Sequence, residues 1–460
     1  MDAGLSLPGR SPRVRCSAII RGKLAAIAIL MVTGLTHGQT ESSLSLNMST
    51  GRALTAETST SPIQSTDAGE LLTEQSVVAA VLANNPSVEQ MVAAWRAAQA
   101  RVQQERALDD PMIGASVAPQ SFRSNDVGYR IEASQKFYFP GKRHLRGRAA
   151  AFEASAAKRD IERIRQELAE EASQAYYDYF LVFRSIAINA ESVEIVKQLK
   201  ANAESRFATG KALQQDVLQA DVETGRLEEQ RLSLTRLEAV NRARLNTLLN
   251  REPNESLATV PDELITPMPL DEPSTLQARA LAQRPELQAL AQQAEAERAR
   301  WALACKEYCP DFEIIGAYDT FWRAPDGDLR AMVGVRVNAP IRRGRRNAAV
   351  AEAQSRVAEK ILAYRRAEND VRFEVTEAYE GVRESDSVVR LYSEKLIQTA
   401  EQSVSQAQSA YATNRSDFLT LLTAQRSLID LRMRYYEAFA ESYKRRAALR
   451  KAVGDPVGGS

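Results

Sequence analysis

The chain has 460 residues, and its 60 Lys and Arg face 59 Asp and Glu, so a net charge of +1 offers no sequence-wide field to draw nucleic acid or acidic partners. Two histidines, His37 and His144, are too few for a multi-histidine metal centre or a histidine-based triad. A composition weighted to Ala, Leu, Arg, Glu and Gln, with 6% aromatic residues, is that of long helices in close contact.

The N-terminus has the pattern of an export signal, assigned to residues 1–38. Arg10, Arg13, Arg15, Arg21 and Lys23 precede an apolar stretch, residues 24–35, that runs into Thr36-His37-Gly38. The alternative, a membrane anchor, would need ~20 apolar residues to span a bilayer. Cys16 lies before the apolar stretch, so no lipid anchor is expected on it. Residues 39–69 are rich in Ser and Thr without periodicity and are expected to be extended or flexible.

A first structural unit is expected over residues 70–250. Helical periodicity starts near Leu71, breaks at Asn84-Asn85-Pro86 and ends before Asp110-Pro111, because the residue before a proline is pushed out of the helical region. The period then changes to two. Ile113, Ala115 and Val117 alternate with Gly114, Ser116 and Ala118; after the polar turn 121–126, Val127, Tyr129, Ile131 and Ala133 alternate with Gly128, Arg130, Glu132 and Ser134. The pattern predicts a hairpin with one apolar and one polar face. It exits through Phe139-Pro140-Gly141-Lys142-Arg143, where proline fixes the backbone and glycine permits redirection. The basic residues of this corner are expected beside lipid phosphates; the alternative, a solvated helix start, is opposed by the helix macrodipole. Two long helical patterns follow, one through Ile161, Leu168, Val182, Val196 and Phe207, the other from Leu213 to Leu248, with a turn at Thr209-Gly210. The first is about 60 residues, or ~90 Å at 1.5 Å per residue.

Residues 251–274 are punctuated by Pro253, Pro261, Pro267, Pro269 and Pro273 and form a linker. A second unit, 275–452, then restates the first. Leu82-Ala83-Asn84-Asn85-Pro86 returns as Leu281-Ala282-Gln283-Arg284-Pro285, and the proline at 111 returns at 310, both at a spacing of 199. Phe207 returns as Tyr411 and Ala220 as Ala424, both at a spacing of 204, so small insertions separate two copies of one unit. The second hairpin places Phe312, Ile314 and Tyr318, then Ala331, Val333, Val335 and Val337, against polar Arg330, Gly334 and Arg336; its corner is Pro340-Ile341-Arg342-Arg343-Gly344. The second pair of long helices turns at Asn414, one of the residues besides glycine that accept a left-handed conformation. Residues 453–460 are expected to be a disordered tail.

Cys305 and Cys309 are four apart. On a helix their Cβ atoms would stand ~5–6 Å apart, too wide for an unstrained disulfide; two ligands for a soft cation, or two small apolar residues at a helix end, are the other readings.

Strands of about ten residues with one apolar face suit an outer membrane crossed obliquely. Unpaired backbone groups in lipid cost several kcal/mol each, and four strands are too few to close a barrel around a pore. Several chains must therefore pool their strands, with the polar face, including Arg130, Glu132, Arg330 and Arg336, turned to the lumen and the helical arms pooled into a tube.

The duplicated order, with Arg206-Phe207-x-x-Gly210 leading to Asp216-Val217-Leu218-Gln219-Ala220, resembles the TolC-like outer-membrane efflux protein family over about residues 70 to 452. The Phe139-Pro140-Gly141-Lys142-Arg143 corner is similar to the branch serving heavy-metal cation pumps of the resistance-nodulation-division type. The resemblance implies a mainly α fold with membrane β structure: a homotrimer with a twelve-stranded β-barrel continuous with a periplasmic α-helical barrel, in contact with outer-membrane lipid. It implies an inner-membrane pump and a periplasmic adaptor as partners, no nucleic acid, no cofactor and no catalytic residue. It places adaptor docking and the pore constriction at the turns between long helices, here Phe207, Gly210, Asp216 and Ala220 in the first copy and Tyr411, Asn414, Asp417, Thr420, Thr423 and Ala424 in the second. Some relatives carry two aspartates where this chain has Thr420 and Thr423. Asp216 and Asp417 could supply negative potential to a cation path, or simply sit at the N-termini of the returning helices. Competing readings are a drug-efflux or secretion channel on the same scaffold, and a periplasmic coiled-coil scaffold or adaptor, which should offer one helical hairpin rather than two. No phosphate loop, nucleophile elbow or metal-binding helix motif points to an enzyme.

Overall fold

A computed structural model describes residues 71–118, 128–261, 264, 269–319 and 331–456. The signal segment, the flexible segment, the two hairpin loops with Arg330, and the last four residues lie outside the described residues.

The two units use the same parts in the same order. Helix α1 (Glu74–Asn84) starts from Thr73, whose side chain and that of Ser76 cap each other's backbone N–H. Pro86 then holds Asn85 extended, at ψ 124°, and opens α2 (Pro86–Arg106). The second unit repeats the device with α5 (Pro273–Gln283), Arg284 at ψ 123° and α6 (Pro285–Lys306) behind Pro285. Pro273, counted with the linker in the sequence, thus sits in the first turn of α5.

Strands β1 (Met112–Ala118) and β2 (Gly128–Phe137) form one hairpin, β3 (Phe312–Asp319) and β4 (Ala331–Val337) the other. They join as a single antiparallel sheet in the order β1-β2-β3-β4. The described parts of β1, β3 and β4 are shorter than the ten residues expected; β2 has ten. Register aligns the faces. Ile113 opposes Ala133, Ile131 opposes Tyr318, and Ile314 opposes Val335, so most of the apolar residues of the four strands project from one side, with Met112, Ile315 and Met332 on the other. Arg130, Glu132, Glu313 and Arg336 project from the other, where Arg130 Nε lies 3.4 Å from Glu132 Oε2 and Arg336 donates to Glu313 at 2.9 Å.

From the sheet run the arms. Helix α3 (Lys142–Ala208) has 67 residues, ~100 Å at 1.5 Å per residue, and is answered by α4 (Gln214–Leu248). In the second unit α7 (Arg343–Leu391) passes through a π-helical turn, Tyr392–Leu396, into α8 (Ile397–Ala412), and α9 (Phe418–Val453) returns. Burial is divided among three clusters strung along the helices. One joins Val77 and Val81 of α1 to Tyr176, Tyr177, Leu245 and Tyr443; a second joins Leu276 and Ala280 of α5 to Val371, Val375 and Leu449; a third lies at the far turns. Each short helix thus staples its own long one. Residues 453–455, placed in the tail by the sequence, are ordered. Gly454 closes α9 in the left-handed region at φ 79°, Asp455 N–H donates to Arg450 O at 3.0 Å, and the Asp455 carboxylate pairs with Arg279.

Candidate functional site

The predicted positions fall into two groups at opposite ends of the arms. At the tip, α3 and α8 end in the same motif. Gly210 stands at φ 68°; its N–H donates to Phe207 O at 2.9 Å, and Lys211 N–H donates to Arg206 O at 2.8 Å. Asn414, at φ 55°, donates to Tyr411 O at 3.2 Å, and Arg415 N–H to Ala410 O at 2.8 Å. This pair of reversed hydrogen bonds is the cap a helix adopts when a left-handed residue follows it.

The returning helices start differently. Asp417 is the N-cap of α9 and accepts from Thr420 N–H at 3.1 Å and from the Thr420 hydroxyl, which holds its carboxyl below the usual range. Thr420 therefore serves the cap. Asp216 sits in the first turn of α4, where Leu213 occupies the cap position without a side-chain hydrogen bond. Both acids are where a helix N-terminus favours negative charge.

Beneath the turns, Ala220, Tyr411, Phe418, Leu421 and Leu422 are buried together, with Ala424 half-buried against them and Tyr411 edge-on to Phe418 at 5.7 Å. The repeat-related aromatics have parted company: Tyr411 is buried, and Phe207 is 47% exposed. Arg206 accounts for Tyr411. Its guanidinium lies over the Tyr411 ring, 4.4 Å from the centroid, donates to Tyr411 O at 3.0 Å and hydrogen-bonds the Asn414 side chain. Burial pushes the Tyr411 hydroxyl up, against the opposing pull of Arg206. Farther up, Glu223 of α4, 1% exposed, accepts from Arg426 of α9 at 2.7 Å. Arg206, Glu223 and Arg426 tie one tip hairpin to the other, and sequence reasoning gave none of them a role. Thr423 is exposed and, with Thr399, Ser403, Leu419 and Thr420, lines a groove of about 720 Å³ between α8 and α9.

At the other end, the two strand-to-helix corners are unlike. In the first, Gly141 takes φ 92°, and a Cβ there would stand 2.3 Å from Lys306 Nζ, which donates to Pro140 O at 3.1 Å. Lys142 is 1% exposed. Its ammonium lies 2.9 Å from Asp311 Oδ1 and 3.4 Å from Glu307 Oε2, and donates to Cys309 O at 3.0 Å. The expectation that this lysine sits beside lipid phosphates is corrected: the second copy supplies a buried carboxylate, Asp311, and a half-exposed one, Glu307, which neutralise it and offset its unfavourable place at the start of α3. Asp311 Oδ1 also accepts Phe139 N–H at 2.9 Å, and Arg143 donates to Arg106 O at 3.3 Å, closing the end of α2.

In the second corner Pro340 is half-buried, while Arg342, Arg343 and Gly344 are exposed. Gly344, expected to redirect the chain, does not. It lies inside the first turn of α7, its φ is not positive, and a Cβ would meet open space. Cys305 is in the last turn of α6 and Cys309 lies past its end, so the helical spacing assumed for the pair does not hold; among the described residues no group of three or more metal-ligating side chains is found. Arg130, Glu132 and Arg336 share the polar face of the sheet.

Among the described residues no helix is long and apolar enough to cross a membrane. Among curated proteins no sequence matches significantly. Solved structures do match. The outer-membrane channel OprN has a TM-score of 0.71 at 19% identity, over 83% of this chain and 89% of that one. The outer membrane protein VceC from Vibrio cholerae has 0.70 at 19%, over 83% and 96%. The open state of the Neisseria gonorrhoeae MtrE outer membrane channel has 0.69 at 17%, over 84% and 89%. At these identities the likeness is one of fold. A sequence profile described as outer membrane efflux protein matches residues 77–251 and 276–455, one segment per structural unit. The chain belongs to the outer membrane efflux protein family and is an outer-membrane efflux channel that extends into the periplasm.

Proposed function

We propose that three copies of the chain close their sheets into one twelve-stranded barrel and their arms into a helical tube, forming a passive exit duct for substrates that an inner-membrane pump delivers through a periplasmic adaptor. The sheet is the observation that carries this reading. Its apolar side, from Ile113 to Val337, is largely exposed, and Val333 is 85% exposed, a contiguous apolar face of the kind that marks a membrane or subunit contact. Stacked Tyr129 and Tyr318 mark one end of that face and paired Phe137 and Phe312 the other. From Tyr129 to Phe137 the strand rises ~27 Å, which at a tilt of about 40° is close to the thickness of the apolar band of an outer-membrane barrel.

The tip is the docking and constriction end. Exposed Phe207, Leu213, Leu218 and Leu419 offer an adaptor apolar anchors at the turns. The cargo suggested by the Phe139–Arg143 corner is heavy-metal cations. That motif has a structural task here, since Lys142 neutralises Asp311, so cargo choice is assigned to the pump. Deletion of the gene, followed by growth on metal salts, dyes and antibiotics, tests both parts. Selective sensitivity to copper, silver, zinc, cobalt or cadmium supports a metal cargo, sensitivity confined to antibiotics supports a drug channel, and no sensitivity to any exported compound removes the duct.

Gly210→Pro tests the tip separately. Proline fixes φ near −65° where 68° is needed and removes the N–H that donates to Phe207 O. Export is expected to fall in that variant while the barrel, a whole arm away, still assembles. Normal export from it would detach the tip from the constriction.

A further inference from the structure

The two corners are built differently, yet they share a set of cations. Lys136, Arg143 and Arg146 return as Arg336, Arg343 and Arg346, all at the spacing of 200 that separates Pro140 from Pro340. The sheet keeps the same alignment, since Phe137 and Val337 both oppose Phe312. Lys142 is neutralised by Asp311 and Arg336 by Glu313, whereas Lys136, Arg143, Arg146, Arg342, Arg343 and Arg346 form no ion pair among the described residues. Carbonyl oxygens hold two of them: Arg143 donates to Arg106 O at 3.3 Å and Arg346 to Glu307 O at 2.8 Å. Such a bond orients a guanidinium and leaves its charge in place. Against this excess stand Asp109, whose carboxylate accepts Tyr138 OH, and exposed Asp110. The pleat sets the side that the cations occupy. Lys136 follows Arg130, Glu132 and Ser134 on the polar side of β2, and Tyr138 comes next on that side. The Tyr138 ring then carries two cations, with Lys136 Nζ 4.9 Å and the Arg146 guanidinium 4.3 Å from its centroid, so Arg146 of α3 is drawn to the polar side as well. On β4, Arg336 has the polar alternation, and Asn338 shares it, its N–H donating to Asp311 O at 3.1 Å. Higher on this face Arg130 and Glu132 cancel each other, which confines the excess to the level of the corners.

We infer that these cations form a positive collar around the lumen where the barrel becomes the helical tube, and that the collar gives the duct a preference for anionic solutes. The inference rests on the trimeric duct proposed above and adds its charge selectivity. Three subunits repeat the excess around one passage, and low-dielectric walls focus such a field. Rings of arginine and lysine are the means by which a protein pore favours anions. The reach of the collar is short, about 8 Å at physiological salt, so it acts at its own level of the duct. An organic anion is drawn across that level and a bare polyvalent cation is held back; a metal cargo would cross it complexed with anionic ligands.

The test uses the full-length protein purified from outer membranes, with the native cysteines changed to serine. Asn338→Cys places a thiol on the polar face at the level of Tyr138. Its rates of reaction with a sulfonate-bearing and a trimethylammonium-bearing methanethiosulfonate, each divided by the rate for free cysteine, report the local potential. The sulfonate is expected to be favoured by roughly tenfold at low salt, and the preference to vanish near 1 M salt, where the Debye length is ~3 Å. Lys136→Gln combined with Arg146→Gln should remove most of it, while a thiol from Met332→Cys, about 20 Å farther along the same face, should be indifferent to that pair of changes. The salt series alters no residue of the collar, so it reports even where the double variant fails to assemble. A protein that is monomeric in the membrane overturns the duct and the collar together. In an assembled trimer, a thiol at 338 that neither reagent reaches, one with no preference for the sulfonate, or a preference untouched by Lys136→Gln with Arg146→Gln overturns the collar alone and returns these cations to the lipid phosphates.

Discussion

Asp311→Ala is expected to destabilise the protein by about 3 kcal/mol, far more than its position in a loop would suggest, because it strands a buried ammonium. Lys142 is 1% exposed and Asp311 Oδ1 is its nearest anionic atom, with Glu307 farther away and 43% exposed. The same carboxylate holds the Phe139 N–H, so one substitution removes the counter-charge and a backbone acceptor at the point where strand becomes helix. Lys142→Met should cost much less, since it removes the charge and keeps the packed stem. The decisive comparison is the double variant. If the pair acts as a unit, Lys142→Met in the Asp311→Ala background should recover stability, read as the midpoint of heat-induced unfolding in detergent. Additive losses would mean that Lys142 is satisfied by Glu307 and Cys309 O without Asp311.

Lys142 also shows where the sequence stopped being informative. Periodicity and the repeat were enough to locate the helices, the hairpins, the two left-handed turn residues and the apolar face, because each depends on neighbours within a few residues or on the copy two hundred residues away. The fate of a side chain in a corner depends on something else. The carboxylate that buries Lys142 comes from the other copy, and no local pattern links the two. Both corners carry a glycine beside proline and basic residues, yet only Gly141, directly after Pro140, takes positive φ, with Lys306 of α6 crossing where its Cβ would stand. Arg206 stands in the motif that carries the family resemblance, which by itself assigns it no task. The useful signal was the difference between copies: position 410 is alanine, so the charge occurs once and holds both turns. The spacing of Cys305 and Cys309 misled for a related reason, since it assumed a helix that ends at Lys306.

Val333→Arg and Met332→Arg, one residue apart on β4, should have opposite fates. Val333 opposes Gly316 on the apolar side of the sheet and Met332 opposes Ala317 on the polar side. If the apolar side meets lipid, an arginine at 333 must hold its charge in hydrocarbon or bend toward the headgroups, at ~2–4 kcal/mol near the midplane. Three subunits triple that cost, so Val333→Arg should nearly abolish trimer in the outer membrane. The Met332→Arg side chain would enter a face already occupied by Arg130, Glu132, Glu313 and Arg336, where two ion pairs show that charge is accommodated, and trimer should accumulate close to the wild-type amount. The contrast is insensitive to strand propensity, because both variants place the same residue in the same strand. Equal loss from both would point to a close-packed sheet with no water on either side, and loss from Met332→Arg alone would turn the barrel inside out.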